Sequence, residues 1–452
     1  MLPLNKPVRR SPLGIIFLTV FLDILGFAII LPLLPDMLAH YLERDGSDGV
    51  LGHLLELLTS ASGSADRANV EALFGAVLMG IYSILQFLFA PFWGSLSDRI
   101  GRRPVLLFTI GGITFSYLLW FFSGSFALLI AARLLGGLMS GNISTATAAV
   151  ADSTTPEDRP KGMGMVGAAI GLGFTLGPVI GWLFNLVDLS QQFSSLQTFG
   201  VNPFSGAAAG AFVLSFINFL GVWRRFDETL RPEDRGKARE ARRTINPAKL
   251  FRRVEFPGVG RANLTYFLYY LAFSGMESTL TFLAKYRLAF GQREIAYLFL
   301  YLGLIMVVVQ GGLIRQLAPI YGEKKLTITG LALLIPGLLV VGVAPKVGVL
   351  YLGLALVGFG SAFITPSLSS LVSLYTPPEH QGGVLGIFRS LGALARAVGP
   401  FVAGILYWRF SSTAPYAAAA FLCLIPFVLA FWLPEPNRQF ISGLGGIREK
   451  NS

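Results

Sequence analysis

The sequence predicts an all-α membrane protein, with twelve transmembrane helices in two pseudo-symmetric six-helix bundles. Three observations predict it. The chain of 452 residues is 53% apolar, only 13% charged, and holds 37 phenylalanines, whereas soluble domains carry about 25% charged residues. Too little polar surface remains to cover such a chain in water, so lipid must be part of its solvent. The apolar residues also gather into twelve runs close to the roughly 20 residues that cross a hydrocarbon layer as a helix. Finally, features of the first half recur in the second at a near-constant offset. Gly177-Pro178 recurs as Gly399-Pro400, 222 positions on, and Gly101-Arg102-Arg103 as Gly322-Glu323-Lys324-Lys325, 221 positions on.

In chain order the expected spans are 13–36, 72–96, 104–122, 125–151, 161–185, 206–223, 263–285, 294–316, 327–344, 349–374, 383–407 and 415–434. The runs lack the polar alternation of a barrel strand, and helices satisfy their own backbone groups in lipid. Span 1 follows a basic N-terminus directly. It contains Asp23 and two prolines and no small-residue cleavage site, so it reads as a membrane helix and not a removed signal peptide. Residues 37–71 form a long, acidic, Ser/Gly-rich first outer loop. Residues 224–262 form a central loop with about twelve basic residues, suited to an anionic cytoplasmic leaflet. Its stretch RRFDETLRPEDRGKAREARR reads as a surface helix. The expected domains are therefore a bundle over 1–223, the central loop 224–262, a second bundle over 263–434 and a tail over 435–452.

The net charge of +11 reports topology. With both termini cytoplasmic, the inner segments hold about 26 Lys and Arg and the outer loops about 7, as the positive-inside rule requires. Basic residues scattered over such loops exclude nucleic acid as a partner. The three histidines, His40, His53 and His380, fall in separate loops, and Cys423 is the single cysteine. No metal, no cofactor and no nucleophile–base set is expected, which argues against an enzyme.

Charged groups deep in a bilayer are functional candidates by default. Helical rise places Asp23 about 15 Å and Arg133 about 18 Å from the inner face, near one level, which suggests an ion pair. Glu277 and Arg396 share a depth of about 21 and 20 Å. Arg389 lies seven residues before Arg396 on the same helix face. Asp23 and Glu277 are the proton-coupling candidates, since a buried carboxylate can exchange a proton with a cavity that opens to either side. Arg133, Arg396 and Arg389 stay charged and suit a substrate carboxylate or sulfonate. Asn142 and Gln310, with Tyr269 and Tyr270, are candidates to line a cavity. The competing account for the charged residues is a set of static pairs that hold helices in register. In span 5 the stripe Gly167, Gly171, Gly173, Gly177, Pro178 and Gly181 reads as a surface for close helix packing. No strand precedes GLGFTLG, so a dinucleotide loop is excluded.

GSLSDRIGRRPVLL, Gly94 to Leu107, resembles the major facilitator signature G-x-x-x-D-R-x-G-R-R, in its expected place between spans 2 and 3. RLLGGLMSGN in span 4 and GLGFTLGPVIG in span 5 are similar to further motifs of that superfamily's proton-coupled drug antiporters. FLDILGFAIILPLLP, YFLYYLAFSGMESTLTFL and FRSLGALARAVGP look like its eukaryotic tetracycline-transporter-like members. The resemblance implies the major facilitator fold and a secondary active transporter with alternating access. It further implies proton-coupled efflux of small amphipathic organic anions or drugs. In that family the acid at Asp98 caps the N-terminus of span 11, near residues 382–384, and latches one conformation. Gly94, Arg99, Gly101, Arg102 and Arg103 complete the turn. Pro319 occupies the place equivalent to Asp98 in the second half, so a second latch is not expected there. The expected partners are the substrate, protons and the bilayer, and the expected state is a monomer. The competing functions are a lipid or lysolipid carrier, and a non-transporting receptor or scaffold on a carrier fold.

Overall fold

The computed structural model describes residues 12–45, 52–53, 67–155, 158–230, 256–377 and 380–435. Most of the first outer loop and of the central loop lies outside the described residues, as do residues 436–452 of the tail; of the expected surface helix over 224–243, residues 226–230 are not helical and 231–243 lie outside the described residues. Two compact units are present: residues 1–245 with 284–303, and residues 246–283 with 304–452.

Helices occupy each of the twelve expected spans, and among the described residues ten helices are long and apolar enough to cross a membrane. Span 1 is short, Leu13–Ala28, and is followed by turns and a second helix, Leu34–Asp45. Pro32 and Pro35 remove backbone donors there, and the chain turns through the bonds Leu31 N to Ala28 O and Leu33 N to Ile30 O. The single run 13–36 is thus two helices. Span 7, Val259–Leu288, is long but carries Ser274, Glu277, Ser278, Thr279 and Thr281, and so is less apolar than the ten. Span 2 is Arg67–Ile100, span 3 Arg102–Phe121, span 5 Arg159–Asn185 and span 6 Ser205–Arg225. Span 4 was expected as one helix and is two, Phe126–Met139 and Asn142–Ser153, broken at Ser140 and Gly141. Span 8 runs from Gln292 to Val308, passes through a π-helical turn at Val309–Leu313, and ends as Ile314–Tyr321. Spans 9 to 12 are Glu323–Val343, Val347–Leu374, Gln381–Arg409 and Ala414–Phe431.

In the first unit, spans 1, 3, 4, 5 and 6 share a core that includes Ile16, Val20, Ile110, Ala146, Val150, Val166 and Val222. Spans 1 and 5 meet backbone to backbone. A Cβ at Gly173 would fall 2.7 Å from the Phe21 carbonyl oxygen, and one at Gly177 would fall 2.6 Å from Ala28 Cβ and 2.9 Å from the Leu25 carbonyl oxygen. Gly181 abuts Ile29 in the same way. The stripe is shorter than its spacing suggests, because a Cβ at Gly167 or Gly171 meets nothing within 4 Å. The second unit repeats the arrangement with spans 7 and 11. A Cβ at Gly399 would fall 2.9 Å from the Leu271 carbonyl oxygen, and one at Gly275 would fall 3.3 Å from that of Gly399. The Gly-Pro repeat in the sequence is therefore a repeated helix contact.

This geometry sets a prediction. Gly177→Val forces spans 1 and 5 apart and is expected to cost about 1–3 kcal/mol, read as a lowered melting temperature of the detergent-purified protein. Gly167→Ala, in open space, is expected to melt unchanged. Equal melting of the Gly177 variant and the parent would show that the close approach is not maintained.

Candidate functional site

The first unit places its buried polar groups around the break in span 4. Span 2 satisfies the groups that the break frees: Tyr82 Oη and Gln86 Nε2 donate to Ser140 Oγ at 3.0 and 2.6 Å, and Trp93 Nε1 donates to the Leu138 carbonyl at 2.7 Å. The break turns the two helical pieces to different partners. Asn142, on the lower piece, is 1% exposed and donates from Nδ2 to Asp23 Oδ1 at 3.1 Å. Its Oδ1 lies against the Thr109 hydroxyl. Arg133, on the upper piece, is 6% exposed and sits over the Trp120 ring, 5.1 Å from its centroid.

Asp23 and Arg133 therefore do not pair. Equal depth did not bring them together, because Asn142 takes the carboxylate and Tyr117 packs over Gly26, where a Cβ would fall 3.0 Å from its Cζ. Tyr117 lies within electrostatic reach of both charges. Arg133 has no ion pair among the described residues, and its Nη2 is buried without a hydrogen-bond partner. A small cavity of about 10 Å³ adjoins it, lined by Tyr82, Ser116, Tyr117 and Trp120, room for about one water. Asn142 is thus held between Asp23 and Thr109.

In the second unit the chemistry lies on spans 7 and 11. Tyr266, Tyr269 and Tyr270 follow the i, i+3, i+4 spacing of one helix face. Tyr266 stacks on Phe388 at 3.9 Å and on Tyr270 at 5.5 Å. Arg396 donates from Nη2 to the Tyr270 hydroxyl, and its guanidinium lies 5.5 Å from that ring's centroid. Glu277, 9% exposed, is within Coulombic reach of Arg396 but makes no ion pair with it. The two are near one another, and Tyr270 holds the guanidinium. Arg389 is within electrostatic reach of Tyr266. Gln310 is exposed on the π-helical turn, a local geometry frequent at functional sites.

The signature turn is built more tightly than its sequence indicates. Gly101 has φ 111° and ψ 160°, open to glycine alone at low cost. Arg102 is buried and donates to Asp98 Oδ1 at 2.5 Å, Ser97 Oγ at 2.7 Å and Asp152 Oδ2 at 2.8 Å. Glu228 accepts from the backbone N–H groups of Arg102 and Arg103 at 2.8 and 3.2 Å and so caps span 3. Arg103 donates to the Trp223 carbonyl at 2.6 Å. Arg102 is thus a hub joining spans 2, 3 and 4, beyond the topological anchor suggested by its charge. Arg99 and Asp98 lie at the end of span 2, Asp98 half-buried and Arg99 exposed, and Gly94 is buried one turn earlier. In the second unit Gly322 repeats the backbone turn, with φ 81° and ψ 156°, although the acid is replaced by Pro319.

Sequence reasoning missed Asp152, Glu228, Tyr117 and Tyr82. None lies in an unusual local pattern, so only their partners identify them. It also missed the attachment of residues 284–303 to the first unit. Lys285 Nζ meets Asp36 Oδ1 at 2.9 Å, and Gln292 donates to Asp36 Oδ2 at 2.9 Å. Asn185 donates to Gln292 Oε1 at 3.0 Å, Trp182 meets Tyr297 edge-on at 5.7 Å, and Tyr286 donates to Glu71.

Comparison with known proteins shows what this arrangement is similar to. Residues 16–320 and 312–450 match the family model Major Facilitator Superfamily. The chain is 36% identical to the cattle (Bos taurus) major facilitator superfamily domain-containing protein 10, over 96% of each chain. The crystal structure of the human organic anion transporter MFSD10 (TETRAN) superposes with a TM-score of 0.72 at 35% identity, covering 94% of this chain and all of that one. The class C tetracycline resistance protein of Escherichia coli is 26% identical over 89% of this chain and 91% of its own.

Proposed function

Because the chain belongs to the major facilitator superfamily and is therefore a multi-pass membrane transporter and not an enzyme, we propose that it exports small amphipathic organic anions by proton-coupled alternating access. The observation that carries the anion is Arg133. A guanidinium buried in the membrane interior without a counter-charge costs several kcal/mol, and its own helices supply only ring faces and hydroxyls. An entering carboxylate or sulfonate supplies the missing charge, and Arg396 offers a second cation flanked by aromatic rings for an apolar body. The human relative described as an organic anion transporter supports this cargo, and the tetracycline resistance protein supports a drug-sized one.

Asp23 and Glu277 exchange the protons in this reading, and Arg389 and Gln310 contribute to the path. The halves 1–223 and 263–434 are the moving bodies, joined by 224–262, with both termini and the tail 435–452 cytoplasmic and the carrier a monomer. Gly94, Asp98, Arg99, Gly101, Arg102 and Arg103 form the latch, and Gly173, Gly177, Pro178 and Gly181 the close seam.

Uptake of a fluorescent anion and of a neutral isostere into proteoliposomes, with and without a pH gradient, tests the proposal. Arg133→Gln is expected to lower affinity for the anion about tenfold, as for loss of one charged hydrogen bond, and to leave the neutral isostere nearly unchanged. Its melting temperature is expected to hold or rise, since an unpaired buried charge is removed. Equal loss for both ligands would sink the anion reading.

A further inference from the structure

A groove of about 580 Å³ opens in the second unit where spans 8, 9 and 12 end together. Its walls are Leu317 from span 8, Ile328 from span 9, Phe363 from span 10 and Phe431 from span 12. Its mouth holds Lys324 and Lys325, which follow Glu323 at the start of span 9. The substrate reading makes no use of it. We propose that this groove binds an anionic phospholipid of the adjoining leaflet, with the phosphate at Lys324 and Lys325 and the upper acyl chains along Leu317, Ile328, Phe363 and Phe431.

Charge and position carry the assignment. Lys325 is exposed and makes no ion pair or hydrogen bond among the described residues. Lys324 meets only Glu435, at 3.5 Å, and that carboxylate is 74% exposed, so the contact is weak and easily displaced. Span 9 starts here, and its dipole adds positive potential that Glu323, in its first turn, partly offsets. Tyr321 and Phe431 stand exposed beside the lysines, the pairing of aromatic and basic groups found at a membrane interface. The volume lies within the roughly 300–1,000 Å³ of ligand pockets, and its apolar depth suits acyl chains where a free phosphate has no use for one. The chain's own tail is a poor occupant. Beyond Glu435, residues 436–452 carry Arg438, Arg448 and Lys450 against the side chain of Glu449, little negative charge for two lysines.

The test uses the full-length protein, delipidated in detergent and titrated with phosphatidylglycerol or phosphatidylcholine under native mass spectrometry. Phosphatidylglycerol is expected to bind about thirtyfold more tightly, from two lysines near the surface, with the preference falling as salt rises. Lys324→Gln with Lys325→Gln is expected to remove the preference. Lys346→Gln, exposed at the other end of span 9, is expected to keep it. Thr329→Trp fills the groove without changing charge and is expected to weaken phosphatidylglycerol binding, which a loose surface charge effect does not predict. Glycerol 3-phosphate is expected not to compete. Full competition by glycerol 3-phosphate, or an undiminished preference in the double lysine variant, overturns the proposal. So does a deletion of residues 440–452 that markedly raises lipid binding, because the tail would then be the occupant.

Discussion

Asp23→Asn and Glu277→Gln are each expected to lower pH-gradient-driven transport about tenfold or more, equivalent to about 1.4 kcal/mol, while the protein stays folded. Both carboxylates are nearly buried, at 7% and 9% exposure, and neither makes an ion pair among the described residues. A coupling group must exist in two charge states during the cycle, and a carboxylate locked to an arginine cannot do this freely. The substitutions are mild. In the Asp23 variant the new amide oxygen can still accept from Asn142 Nδ2, so the contact between spans 1 and 4 survives. In the Glu277 variant no hydrogen bond is lost, because Arg396 is held by Tyr270. Exchange transport without a gradient is expected to continue in both, which separates loss of coupling from loss of the carrier. Transport that stays fully gradient-dependent in both variants, and in the double variant, removes these residues from the coupling role.

Arg396→Ala is expected to lower affinity for anionic substrates by about 1.5–3 kcal/mol, the range for a lost charge-assisted hydrogen bond, and to affect neutral analogues much less. The guanidinium belongs to a helix stretch of small residues, Gly392, Ala393, Ala395 and Ala397, and Tyr266 packs into the gap at Gly392. Tyr270 holds it from one side through its hydroxyl and its ring face. Glu277 acts on it through space. Arg396→Lys keeps the charge but loses the planar contact with Tyr270, and is expected to fall between the parent and the alanine variant. Equal loss for charged and neutral ligands in equilibrium binding would mark Arg396 as structural.

The class of the molecule was legible because partition into lipid is a property of local composition. Run length, basic loops and the recurring Gly-Pro and Gly-Arg-Arg features need no knowledge of neighbours. Burial of the charges was also legible, since a charge in the middle of a long apolar run is carried into the packed interior with it. This is why Asp23, Arg133 and Glu277 stood out as buried charges. The glycines of span 5 were legible as a packing stripe, although only Gly173, Gly177 and Gly181 touch span 1.

Partner choice was not legible, because it depends on which way each helix turns and where it breaks. The break at Ser140 and Gly141 sends Asn142 to Asp23 and leaves Arg133 over Trp120. The π-helical turn exposes Gln310. Arg102 reads as one more basic loop residue until Ser97, Asp98 and Asp152 converge on it, and Glu228 caps the helix it begins. By itself the sequence determined a twelve-span carrier of two related halves, together with the charges buried inside it. The tertiary structure alone decided which of those charges are neutralised, since hydrogen bonds and ion pairs form over about 3–4 Å between segments that can lie more than a hundred residues apart in the chain, as Asp23 and Asn142 do.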